Sequence, residues 1–236
     1  MKTRNTALVL AHAFLSGGVA YGLTADVLEL GADPKTAPLF TYIRTVVSSG
    51  DGGHEELGVF KDRDGKIAVE EKISLTASGD LISYEMNQHQ VETKGSVTIS
   101  GGKVHFSFEK DGKAKTADED AVANLIVGPT LVPYLQKNWV ALKKGNSIKA
   151  RFAVPDRRET VGFKFSLVDE AKDGERKTAR IKMSASSFLI AALINPLYFT
   201  FTDDGSKLLN FEGRTLLKQK LGGAWGDLDA RTVYKD

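Results

Sequence analysis

Cysteine is absent from this 236-residue sequence, and histidine is scarce, with 4 residues. The first absence excludes disulfide staples and a lipid anchor on a bacterial lipobox cysteine. It is no obstacle to export, because a chain of this length can bury a core without covalent help. The few histidines show no H-x-x-x-H spacing, and the chain has neither a G-x-S-x-G elbow nor a Walker loop. No metal and no cofactor are therefore expected. A surplus of one charge is missing too, with 32 basic residues against 30 acidic ones. The net charge of +2 comes from Lys2 and Arg4, and no acid precedes Asp26. Without a basic stripe, nucleic acid is not an expected partner, since phosphate neutralisation carries most of that affinity.

Long apolar runs are also lacking. A membrane-spanning helix needs about 20 apolar residues. The most apolar stretch beyond the N-terminus, "SSFLIAALINPLYFTF" (186–201), is shorter and is interrupted by Asn195 and Pro196. No membrane span is expected. No repeat of fixed period and no linker divide the chain.

What is present points to one β-rich domain. Hydrophobic residues make up 42% of the chain, with 23 glycines and 12 phenylalanines, enough for a packed core. The N-terminus has the order of a secretory signal peptide. Lys2 and Arg4 begin it, and an apolar run from Ala7 to Leu15 follows, broken only by His12. Two pairs of small residues could mark cleavage, Gly18 with Ala20 or Ala20 with Gly22. Residues 1–22 are read as the signal and residues 23–236 as a single domain, exported to the periplasm.

Residues 23–40 read as an extended lead-in. From Phe40 onward, period-two alternation dominates, as a half-buried strand requires. Tyr42, Arg44 and Val46 share one face, and Val104, Phe106 and Phe108 another. Ile82, Tyr84 and Met86 alternate with Ser83, Glu85 and Asn87. Glycine-bearing turns at short intervals, such as "DRDG" (62–65), mark an antiparallel meander. One region differs: Leu131, Leu135, Trp139 and Leu142 recur at spacings of four, four and three, which predicts a helix over about 130–143. Lys143 and Lys144 suit its last turn, and Gly145 can end it. Phe188 to Ile194 predicts a second short helix, apolar nearly all round, and Leu197 to Thr202 a strand. A helix without a polar side must be surrounded. The fold expected is mainly β (α+β): a curved antiparallel sheet, or incomplete β-barrel, wrapping two or three short helices.

Candidate chemistry is sparse. His105 falls on the strand face opposite Val104 and Phe106, and so toward solvent. His54 lies in a glycine loop with Asp51 and Glu55 nearby, the basis of a hydrolase reading. Arg157 and Arg158 near Glu159 read as surface charge at a sheet rim, with contact to an anionic headgroup as the alternative. Trp225, set among glycines in "GGAWGDLDA", reads as part of a turn that packs over a sheet edge or stacks on a ligand.

The exported start, the meander, the centre "VGPTLVPYLQKNWVALKKGNSIKARFAVPDRRETVGF" and the end "SASSFLIAALINPLYFTF…LLNFEGRT" resemble uncharacterised bacterial envelope proteins related to the DUF3108 group. That group is similar in plan to the lipoprotein-carrier fold, in which an incomplete antiparallel barrel wraps helices around an apolar cavity. The resemblance implies an envelope protein that is non-catalytic and binds a lipid or other hydrophobic small molecule, or serves as an accessory factor. The lining expected for such a ligand is Leu131, Leu135, Trp139, Phe188, Ile190 and Leu193, residues that would equally form a plain core. A structural module pairing through a strand edge is the remaining reading.

Overall fold

The computed structural model describes residues 21–33, 35–48, 52–187 and 195–235. Its first half is an unbroken up-and-down series: β1 (Tyr21–Glu29), β2 (Phe40–Ser48), β3 (His54–Asp62), β4 (Ile67–Leu75), β5 (Leu81–Gln88), β6 (Thr93–Ser100), β7 (Lys103–Lys110) and β8 (Lys113–Asp120). Each strand pairs antiparallel with its sequence neighbour. The "DRDG" segment is the hairpin turn between β3 and β4. Asp62 Oδ1 accepts the backbone N–H groups of Asp64 and Lys66 at 3.0 and 2.9 Å.

A short strand β9 (Leu125–Ile126) and a 3₁₀ turn (Gly128–Thr130) lead into α1 (Leu131–Lys137) and α2 (Trp139–Lys143). The helix predicted over 130–143 is thus two short helices. The break is at Asn138, where φ is −102° and ψ is 12°, and Asn138 Nδ2 donates to the Tyr134 carbonyl at 2.9 Å. Gly145, with φ of +80°, takes the left-handed conformation after α2. Then come β10 (Ile148–Val154), β11 (Glu159–Asp173), β12 (Arg176–Ala185), β13 (Leu197–Thr202), β14 (Leu208–Leu221) and β15 (Ala224–Tyr234). The strand expected from Leu197 to Thr202 is β13. The second helix, expected over Phe188 to Ile194, falls outside the described residues.

All 15 strands among the described residues belong to one sheet, ordered β8-β7-β6-β5-β4-β3-β2-β1-β15-β14-β13-β12-β11-β10-β9. The pairing of β1 with β15 joins the two meanders, through Ala25↔Tyr234 and Val27↔Thr232. Residues 23–29, expected as a lead-in, are therefore part of a central strand. A second correction concerns β5. A register shift between Ser74 and Leu75 brings Leu81 into the core and turns Ile82 outward, with 44% of it exposed. Alternation resumes at Tyr84 and Met86, both buried.

The sheet curls until strands distant in its order meet. Glu119 on β8 accepts the backbone N–H of Thr160 on β11 at 3.1 Å and its hydroxyl at 2.6 Å. Gln90 and Lys218 exchange two bonds of 2.8 Å, which pins the β5–β6 turn to the irregular part of β14. The concave face holds two apolar clusters. One gathers Val69, Ile73, Val97, Phe106, Leu217 and Leu228, mostly from the first meander. The other packs Leu135 and Leu142 against Phe165, Ile181 and Phe201. The mainly β, curved, barrel-like fold read from the sequence is the fold observed.

The helix pair docks on the turn between β13 and β14. Trp139 Nε1 donates to the Asp203 carbonyl at 3.1 Å, and Gln136 Nε2 to those of Gly205 and Ser206 at 3.1 and 2.9 Å. Gly205 has φ of +74°, and a Cβ on it would lie 2.2 Å from Trp139 Cδ2. Gly205→Ala therefore both strains the backbone and displaces the indole. It is expected to cost about 2–4 kcal/mol, measured by equilibrium denaturation with urea. A loss within error of zero would mean that the turn does not hold the helices.

Candidate functional site: an ionisable cluster on the concave wall

The pleat assigns inward positions by period two, and several ionisable side chains fall on them. Arg44 lies on the face of β2 that carries Tyr42, whose ring is 4.5 Å from Phe60 on β3. Glu56 shares the face of Phe60 on β3, and Glu71 lies between the buried Val69 and Ile73 on β4. Tyr84 on β5 and Tyr234 on β15 complete the set. Gly58 makes room for it: a Cβ there would lie 3.0 Å from the Tyr42 hydroxyl.

These groups pair with one another. Arg44 forms an ion pair with Glu56, which is only 5% exposed, and His54 Nε2 lies 3.2 Å from the other Glu56 oxygen. The Tyr84 hydroxyl donates to Glu71 Oε1 at 2.7 Å. Arg44 Nε is buried and has no hydrogen-bond partner. Burial pushes the Glu71 carboxyl above its ordinary range. The Tyr84 hydrogen bond and Arg44 act against that shift, and the Glu56 charge adds to it. Burial also raises the phenols of Tyr42 and Tyr84 well above their usual value and that of Tyr234 to about 12. The cluster therefore offers neutral phenols, a carboxyl that holds its proton more tightly than a free one, and one unpaired guanidinium N–H.

The residues named from sequence are distributed differently. Leu131, Leu135 and Trp139 are buried within the second apolar cluster, with the Trp139 and Phe201 rings 5.0 Å apart. Phe188, Ile190 and Leu193 lie outside the described residues, as does Asp51. His54 meets Glu56 and not Glu55, which sits on the opposite face and pairs with Lys72 at 3.1 Å. His105 bonds the exposed Asp118 at 2.8 Å, and Arg157 bonds Glu159 at 2.6 Å, both as surface contacts. Among the described residues, no group of three or more acids and histidines is arranged to hold a metal. Nor is any described helix long and apolar enough to cross a membrane.

Two surface concavities accompany the cluster. One of about 490 Å³ spans the outer face of β4 to β7, edged by Glu70, Lys72, Glu85, Lys94 and Glu109. The other, about 320 Å³, lies beside Arg151, Thr160 and Gly162. Of the inward ionisable groups, Glu71 borders the first concavity, and none lines the second. Sequence reading missed Glu56, Glu71, Tyr84 and Tyr234 as a set. Its usable signal was a charged residue in phase with apolar ones, as Glu71 is with Val69 and Ile73.

No protein-family model matches the chain, and no curated protein does. Among solved structures, the chain is similar to the crystal structure of a beta-barrel-like protein of domain of unknown function DUF1849 from Brucella abortus. The TM-score is 0.56 at 11% identity, over 92% of this chain and 96% of that one. The likeness is one of fold.

Two expectations follow from the cluster. A carboxyl whose proton is held more tightly when folded contributes stability at low pH, and that contribution is lost as pH rises through the folded-state pKa. Glu71→Gln keeps an acceptor for Tyr84 and removes this loss. Its melting temperature should exceed that of the parent at pH 8 by a few degrees, at about 2–4 °C per kcal/mol, with the gap narrowing as pH falls through the raised folded-state pKa and closed below about 4.5. A lower melting temperature at pH 8 would refute this. Arg44→Met strands Glu56 and should cost about 3 kcal/mol in denaturant unfolding. Adding Glu56→Gln should restore much of it. Additive losses in the double variant would count against the pairing.

Proposed function

We propose that this protein is an exported, non-catalytic component of the bacterial cell envelope. Its curved sheet holds an apolar or lipid-like ligand that has a polar end. The observation that carries this reading is the ionisable cluster on a largely apolar concave wall. Burying such groups costs several kcal/mol per ion, and an apolar replacement is often neutral or stabilising. A core that only packed would gain nothing from Arg44, Glu56 and Glu71. A ligand oxygen would satisfy the Arg44 Nε–H, which otherwise costs about 1–3 kcal/mol. The two apolar clusters flanking the ionisable set suit a chain or ring system.

The resemblance to envelope proteins of the DUF3108 group and to the lipoprotein-carrier plan supports the same class by analogy. The signal-like N-terminus supports export to the periplasm of a Gram-negative bacterium. Tyr21 and Gly22, the first residues of β1, pair with Val46 and Thr45 of β2, so cleavage after Ala20 would leave β1 whole. The hydrolase reading keeps one observation in its favour, the contact between His54 and Glu56.

Native mass spectrometry of the protein purified from its own periplasm tests these statements together. The expected result is a mature mass beginning at Tyr21 with an amphiphile bound, and reduced occupancy in Arg44→Met. A clean apo mass for the parent protein would end the ligand reading. Accumulation of a larger, uncleaved ligand in His54→Ala would replace it with the hydrolase.

A further inference from the structure

The hairpin joining β14 and β15 ends in an apolar tip. From Leu221 to Trp225 the sequence is Leu-Gly-Gly-Ala-Trp, with the indole N–H as its one polar side-chain group. Residues 220–225 are all exposed, Leu221 by 58% and Trp225 by 44%. Gly222 and Gly223 have φ of +57° and +92°, as a two-residue loop with both central residues left-handed requires. A Cβ built on either would meet nothing within 4 Å. The tip is therefore free on every side.

Its two large apolar side chains occupy opposite faces of the ribbon. Leu221 pairs with Ala224 and leans over Gly226, where a Cβ would lie 2.8 Å from Leu221 Cδ1. Trp225 pairs with Lys220, whose Nζ lies 5.2 Å from the indole ring centroid. Lys218 follows on the Lys220 face, bonded to Asp227 at 2.5 Å, and Arg214 bonds both Asp227 and Asp229. The acids near the tip are thus engaged by cations at its base, while Lys220 stands at the rim.

We propose that this tip is a peripheral membrane contact, inserting Leu221 and Trp225 edge-on between the headgroups of an anionic lipid surface. Tryptophan is favoured at the membrane–water interface, and lysines beside it are attracted to anionic lipid. A wedge with one large apolar side chain on each face fits a medium that surrounds it and not a flat partner that covers one side. A second copy of the chain is the weaker occupant. Two side chains at a turn bury far less than the about 800 Å² per partner that a stable dimer needs. The contact does not depend on the ligand proposed for the interior. It would hold the protein at a surface without a span.

Sedimentation of the full mature chain with vesicles tests it. Vesicles of phosphatidylcholine with about a third phosphatidylglycerol should bind the protein, and vesicles of phosphatidylcholine alone should bind it at least fivefold less. The bound fraction should fall with added salt. Leu221→Ser and Trp225→Ser should each lower binding at least fivefold with an unchanged melting temperature, because both side chains are exposed. Lys220→Glu should lower it with both apolar groups intact. Bromine-labelled acyl chains should quench the exposed Trp225 and spare the buried Trp139. Failure of the parent protein to bind, or equal binding by the serine variants, overturns the proposal. Dimerisation lost in Trp225→Ser, without vesicle binding, would reassign the tip to contact between copies.

Discussion

The pairing of β1 with β15 is the constraint on which the molecule rests. It joins the first strand of one meander to the last strand of the other, so that two series of local hairpins become one continuous surface. Hairpins between neighbours form cheaply because their loops are short. Joining residues about two hundred positions apart carries a greater loop-closure cost, which burial must offset. Val27 and Ala230, both fully buried beside that seam, show where the offset comes from. Without the seam, Tyr234 would not face the strands that carry Arg44 and Glu71.

Curvature follows from the same sheet. Strands twist, and a sheet of 15 of them cannot remain flat. Its irregular points include Leu81 in β5 and the stretch between Arg214 and Lys218 in β14. The approach of distant strands is secured by side chains and not by a closed backbone ladder. Glu119 reaches Thr160, and Gln90 meets the backbone of Lys218. The result is barrel-like without being a closed barrel. Its concavity is occupied by α1 and α2 on one side and by the ionisable cluster near the seam.

The cluster and the hairpin tip spend stability in different ways. Inside, Arg44, Glu56 and Glu71 give up hydration, and only mutual pairing makes that tolerable. Outside, Leu221 and Trp225 leave apolar surface in water at a turn where polar residues would serve equally well. Both are local inconsistencies in an otherwise consistent sequence, and such departures tend to mark function. Each was visible in the sequence as a type of residue in a place. Trp225 stood among glycines, and Glu71 fell in phase with Val69 and Ile73.

The sequence by itself determined the pleat. Val104, Phe106 and Phe108 alternate as a half-buried strand must, and "DRDG" specifies a turn through its own side chain and glycine. Leu131, Leu135, Trp139 and Leu142 lie on one helical face, and that face survives the break at Asn138 because both helices dock on the same strands. These are short-range facts, fixed by backbone geometry and local hydrogen bonds. Tertiary structure alone decided that residues 23–29 are a central strand, that Leu81 and not Ile82 points inward, and that His54 meets Glu56. It also decided that Arg44, Glu71, Tyr84 and Tyr234 share one space. Period two says which face a side chain takes, but not which face lies opposite. That is settled only when distant strands pair and the sheet curls, and no local pattern encodes the energy that drives it.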